Sequence, residues 1–156
     1  IEAAGGKALA IQCDLRDETQ IEAAVAQAAG MPAQTCTQAE FCGKGLALEH
    51  DGSVYSCDHF VYPEYKLGTI AQTHLGDLAF SATQEKFGMD KRDTLPKQCR
   101  ECDYLKLCWG ECPKNRLIKT REGEVGLNYL CSGLYRFYEH IGPDVVRILR
   151  QLGHLR

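Results

Sequence analysis

Cys99-Arg-Glu-Cys102-Asp-Tyr-Leu-Lys-Leu-Cys108-Trp-Gly-Glu-Cys112-Pro113 sets four thiols in a C-x2-C-x5-C-x3-C run closed by proline. Two residues between thiols let both sulfurs turn toward one centre, as metal–thiolate loops require. Chance rarely produces three such spacings in succession. The run marks a soft metal site, and the rest of the chain is read outward from it.

The chain has 156 residues, enough for one domain or a domain plus a fragment. A chain of that length can bury a core, so its cysteines are not needed to rescue a tiny fold. The formal net charge is -3 with acids and bases mixed, which gives no case for a nucleic-acid partner or a membrane surface. No stretch is long and apolar enough to span a bilayer. The first thirty residues lack the basic-then-apolar order of a signal peptide. A cytoplasmic setting is expected, where thiols stay reduced unless a metal takes them. The first residue is Ile1 rather than methionine, which suggests truncation. Of nine cysteines, Cys13 stands alone and eight fall between Cys36 and Cys131. Eight thiolates suffice for two four-sulfur sites, and disulfides fit poorly without export.

Residues 1–30 read as an isolated βα fragment. Ala8-Leu9-Ala10-Ile11-Gln12-Cys13 has the look of a short buried strand. Asp17 or Thr19 can then cap a helix bearing Ile21, Ala24, Val25 and Ala28 on one face. From Gly5-Gly6-Lys7-Ala8 through Cys13-Asp14-Leu15-Arg16-Asp17 the fragment resembles the third strand and following helix of short-chain dehydrogenases. In that family the residue matching Asp14 lies near the adenine of a nicotinamide cofactor. No glycine-rich turn is present to cradle its phosphates. Tyr62-Pro63-Glu64-Tyr65-Lys66 spells Y-x-x-x-K, but Pro63 argues against the helix on which that pair works. The match is read as coincidence, and the fragment is expected to carry no function.

Met31-Pro32-Ala33-Gln34-Thr35 breaks the helical pattern and is read as a junction, residues 31–35. Beyond it, Asp51-Gly52 between Leu46–His50 and Ser53–Cys57 predicts a tight β-hairpin. That hairpin would swing Cys57 back toward Cys36 and Cys42. Asp58 to Gly68 reads as irregular. Gly76-Asp77-Leu78 opens a predicted helix with Leu78, Phe80 and Phe87 as its apolar positions, closed by Gly88. Asp90-Lys91-Arg92-Asp93 reads as a solvated charged patch. A helix begins at Asn128–Cys131 and ends at Gly142-Pro143, where Pro143 starts another. The expected class is α+β: a hairpin, cysteine-rich loops and C-terminal helices over residues 36–156.

The order C-x9-G-x4-C over Cys42, Gly52 and Cys57, then the C-x2-C-x5-C-x3-C run, then Cys131, resembles the SPASM domain. That domain is the auxiliary-cluster domain of certain radical S-adenosylmethionine enzymes. Cys57-Asp58-His59-Phe60-Val61-Tyr62-Pro63 and Lys91-Arg92-Asp93-Thr94-Leu95-Pro96 are similar to anaerobic sulfatase-maturating enzymes. The resemblance implies two [4Fe–4S] clusters, one on Cys36, Cys42, Cys57 and Cys112 and one on Cys99, Cys102, Cys108 and Cys131. Spacing alone would rather group Cys99 through Cys112. The implied role is electron transfer and substrate binding, in an oxidoreductase that converts a sulfatase cysteine or serine to formylglycine. The residue matching Asp58 is that family's proposed base, and the implied partner is the sulfatase polypeptide. A radical core needs C-x3-C-x2-C for S-adenosylmethionine and a third cluster. Here Asn115 stands where the third cysteine would follow Cys112, so that core is missing from this chain and no activity is expected of it alone. The same spacings also suit a rival, a binding module with structural zinc in four-cysteine sites.

Overall fold

The computed structural model describes residues 32–33 and 35–153. The expectations for residues 1–30, with Cys13 and Asp14, lie outside the described residues, as do residues 31 and 34 of the 31–35 junction. The hairpin forms from β1 (Ala47–Leu48) and β2 (Ser53–Tyr55), paired Ala47↔Tyr55 and Leu48↔Val54. Its turn is not the two-residue Asp-Gly type. Glu49 and Gly52 close on each other, and the Glu49 N–H bonds the Ser53 carbonyl. This leaves a three-residue loop with Gly52 at φ 82, the turn-plus-bulge form in which glycine takes the left-handed position. The Asp51 carboxylate accepts from both the Ser53 N–H and hydroxyl, which favours the longer loop.

The stretch expected to be irregular is more ordered than that. Two single 3-10 turns, Asp58–Phe60 and Pro63–Tyr65, lead into β3 (Lys66–Thr69). That strand pairs antiparallel with β2 through Ser53↔Thr69 and Val54↔Gly68, completing a three-stranded sheet. Packing of Phe60, Tyr65 and Phe87 edge to face, with centroids 4.8 to 5.8 Å apart, organises what sequence pattern left open. Tyr62 and Lys66 therefore share no α-helix.

The following helix is split. α1 (Leu75–Ala79) is capped by His74, and α2 (Ala82–Asp93) by the Ser81 hydroxyl. Gly88 lies inside α2 rather than ending it, because a closely packed loop needs its missing side chain. Leu78 is buried, but Phe80 is 91% exposed, since it falls at the break between the two helices. The charged patch at the end of α2 is not all solvated: Lys91 is 1% exposed. Two short helices, α3 (Lys97–Arg100) and α4 (Leu105–Cys108), carry the cysteine run. A small ribbon of β4 (Ile118–Lys119) and β5 (Val125–Leu127) follows.

The chain closes on α5 (Cys131–Gln151), one continuous helix with Pro143 inside it. The expected stop at Gly142-Pro143 does not occur. Gly142 has no Cβ to meet the proline ring, and the buried row Tyr138, Gly142, Val146 and Leu149 runs straight past it. Leu107 and Tyr138 form the centre of the apolar core, with Tyr104, Cys108, Leu134 and Ile141 against them. Elsewhere the interior mixes apolar and polar groups: Val54 and Leu95 are buried, and so are Lys91, Asn128, Ser53 and Ser56. No helix among the described residues is long and apolar enough to cross a membrane.

Candidate metal centre

The eight described cysteines fall into two sets of neighbours. Burial pushes the Cys42 thiol up, and Cys112 and Cys36 push it further while Lys91 and Arg116 oppose them. Cys57 is pushed up to about 11, again first by burial, with Cys112 contributing. Cys112 in turn is raised first by burial, with Glu111 and Cys36 contributing. In the other set, burial raises Cys99 to about 11, aided by Cys131, Cys108 and Cys102. Cys131 and Cys102 likewise raise Cys108, and Cys102 raises Cys131. No thiol of one set is a leading neighbour of a thiol of the other. Cys112 thus sits with cysteines far away in sequence rather than with the run it ends.

Each set is positioned by identifiable contacts. The Cys42 loop is pinned to α2, with the Cys42 N–H bonded to the Gly88 carbonyl at 3.3 Å. A Cβ on Gly88 would lie 2.7 Å from the Cys42 carbonyl oxygen, so only glycine fits there. Gln84, buried on the same helix, donates to the carbonyls of Gly43 at 2.8 Å and Ser56 at 3.0 Å. It thereby fixes the segments bearing Cys42 and Cys57 to each other. Lys91 Nζ donates to the carbonyls of Cys36 and Thr37 at 2.5 and 2.9 Å, and burial pushes its ammonium down to about 8. His59 Nδ1 stands 3.3 Å from Cys112 Sγ. The second set needs less reach. Cys99, Cys102, Cys108 and Cys131 line one cavity of about 300 Å³, walled by Tyr104, Leu134, Tyr135 and Tyr138.

The sets meet at the turn from Cys108 to Cys112. Trp109, Gly110 and Glu111 are all left-handed, with φ of 45, 68 and 54. Side chains cost about 1–2 kcal/mol each in that conformation, so the surroundings must hold Trp109 and Glu111 there. Arg116 donates to the Trp109 carbonyl at 2.7 Å and the Gly110 carbonyl at 3.3 Å. Asn128, 2% exposed, donates to the Gly110 carbonyl and, with Asn115, to Glu111 Oε2. The turn is what sends Cys112 away from Cys108.

Asp58 is exposed on the 3-10 turn directly after Cys57. The Cys57 thiol donates to its Oδ1 at 3.2 Å and holds the carboxyl below its usual range. Cys57, Asp58 and His59 place one ligand atom each within 4.8 Å of one another, the only such group of three among the described residues. This bears on which metal the thiols suit. At about 2.3 Å from a tetrahedral zinc, sulfurs stand roughly 3.8 Å apart. Neither cysteine set is gathered so tightly, and a four-iron cube holds its thiolates further apart than one ion does. The cavity bordered by Cys99, Cys102, Cys108 and Cys131 leaves room for such a cube at the second set. Sequence reasoning missed Gln84, Lys91, Arg116 and Asn128. Their types are common on surfaces, and only the fold turns them inward.

Residues 36–103 match the family model of SPASM, an iron–sulfur cluster-binding domain. That segment therefore carries a SPASM domain, an iron–sulfur cluster-binding class. The chain's similarity narrows this further, to the matching segment of anaerobic sulfatase-maturating enzymes. The chain is 53% identical over 108 residues to the serine-type enzyme of Bacteroides thetaiotaomicron, covering 69% of this chain and 26% of that protein. It is 32% identical to the serine-type enzyme of Klebsiella pneumoniae, covering 87% and 32%, and 27% identical to the cysteine-type enzyme of Clostridium perfringens, covering 76% and 31%. A solved structure of native anSMEcpe with bound AdoMet and Kp18Cys peptide superposes with a TM-score of 0.64 at 25% identity, over 76% of this chain and 32% of that one. The chain spans about a quarter to a third of the length of these relatives.

Proposed function

We propose that the chain is the auxiliary-cluster part of an anaerobic sulfatase-maturating enzyme and holds two [4Fe–4S] clusters. Cys36, Cys42, Cys57 and Cys112 would ligate one, and Cys99, Cys102, Cys108 and Cys131 the other. The carrying observation is the division of eight thiols into two sets of four, one of them around a common cavity. Bound clusters of this kind supply one-electron acceptance, and ligation by four cysteines leaves no iron open for S-adenosylmethionine. The radical core, with its own cluster and S-adenosylmethionine, would belong to a part of the enzyme outside this chain. The substrate would be a sulfatase polypeptide offering a cysteine or serine for conversion to formylglycine, in the cytoplasm.

Asp58 would accept the side-chain proton of that residue. Its exposed carboxylate beside Cys57 supports this, since proton and electron could leave the substrate on the same side of the domain. Once Cys57 is a thiolate ligand it no longer donates to Asp58, which frees the carboxylate. The rival zinc module is disfavoured by the cavity at the second set, which is larger than a single ion requires. Anaerobic reconstitution decides between them. Close to eight irons with matching sulfide is expected, on the order of four per site. A colourless protein that takes up only zinc would refute the iron–sulfur reading.

A further inference from the structure

Lys91 and Arg116 pose a charge problem. Lys91 is almost wholly buried and Arg116 half-buried, yet among the described residues neither forms an ion pair with a carboxylate. Their hydrogen bonds go to backbone carbonyls, and for Arg116 also to the Thr94 hydroxyl. A cation taken from water without an anion is strongly disfavoured. The candidate anions nearby are the thiols, and a cube ligated by four thiolates is net negative. The two cations differ in reach. Lys91 lies among Cys36, Cys42 and Cys112, with Arg116 as a like charge nearby. Arg116 neighbours Cys42 and Cys112 of one set and Cys99 and Cys108 of the other, because it grips the turn that joins them.

We propose that Arg116 is a positioning residue shared by both cluster sites, its fixed positive charge raising both reduction potentials, whereas Lys91 serves the first set alone. This rests on the two-cluster reading. Reduction adds an electron to each cube, so a nearby cation favours the reduced form in proportion to its proximity. Arg116 also fixes the turn between Cys108 and Cys112, since its donors hold the Trp109 and Gly110 carbonyls.

The test is EPR-monitored redox titration of the anaerobically reconstituted 156-residue chain, with iron and sulfide counted in every sample. Cys131→Ala assigns the two signals. Arg116→Gln is expected to keep its iron and lower both midpoints, each by about tenfold in the reduced-to-oxidised ratio, or roughly 59 mV for one electron. Lys91→Met is expected to lower only the signal that Cys131→Ala leaves. Arg116→Lys keeps the charge and can be read even if the glutamine variant loses its clusters; both midpoints should stay within about twofold of the parent ratio. A shift of one midpoint or neither in Arg116→Gln at full iron content overturns the proposal. So does a tenfold fall in both with lysine in place. A parent chain that holds no iron would instead sink the two-cluster reading, which the iron count reports separately.

Discussion

The two cysteine sets are assembled by different means. The second, Cys99, Cys102, Cys108 and Cys131, comes from two short helices, the link between them and the first turn of α5, around a cavity with a tyrosine wall. The first, Cys36, Cys42, Cys57 and Cys112, is drawn from a loop, a hairpin end and the far side of a strained turn. Its loop spans a little more than twice the residues, yet that costs only about 0.6–0.8 kcal/mol more closure entropy. Chain entropy therefore does not separate them; polarity does. Lys91, Gln84 and His59 surround the first set, while Tyr104, Tyr135 and Tyr138 pack on one another beside the second. One site is built as a charged interior, the other as an aromatic pocket.

The sharpest way to break this comparison is to remove one ligand from each site. Cys131→Ala should lose about half the iron and leave the first site filled, and Cys36→Ala should do the converse. Parallel loss of all iron from both variants, measured by iron count and EPR, would mean that the sites are one unit. Asp58 belongs only to the first site. In an intact maturase containing this segment, Asp58→Asn should leave the iron count unchanged and lower turnover on a sulfatase peptide by about 10²–10⁴. Unchanged turnover would remove Asp58 from the chemistry.

Gly88 tests how the first site is packed. Gly88→Val should cost about 1–3 kcal/mol, read as a shift of the denaturation midpoint, and should release iron from the first site before the second. Equal loss from both would deny the close approach of α2 to Cys42 its local role. The smallest expected effect is a difference between midpoints in the parent chain. With Lys91 added to Arg116, the first-site cluster should reduce before the second, and the reverse order in a redox titration would overturn the contrast in charge.

The chemistry was legible in the sequence because thiol spacing is short-range: C-x2-C and C-x5-C constrain two sulfurs whatever the rest of the fold does. The hairpin was legible too from Asp-Gly between strand-like runs, but its three-residue loop was not, because the bonds of the Asp51 carboxylate to Ser53 favour it. Lys91 was misread because a Lys flanked by Asp90, Arg92 and Asp93 looks solvated, and no local pattern says that α2 turns it inward. Pro143 was misread for a related reason. Its local preference ends helices, but the buried row on α5 continues through it and packing prevails.

From its sequence alone this protein was committed to soft-metal chemistry and to an α+β class. Which thiols stand together was decided only in three dimensions. Cys112 leaves Cys108 because three consecutive left-handed residues, held by Arg116 and Asn128, turn it toward Cys36 and Cys42. Such a turn is unfavourable by itself and exists only where distant side chains hold it, so no short-range rule could have foretold it.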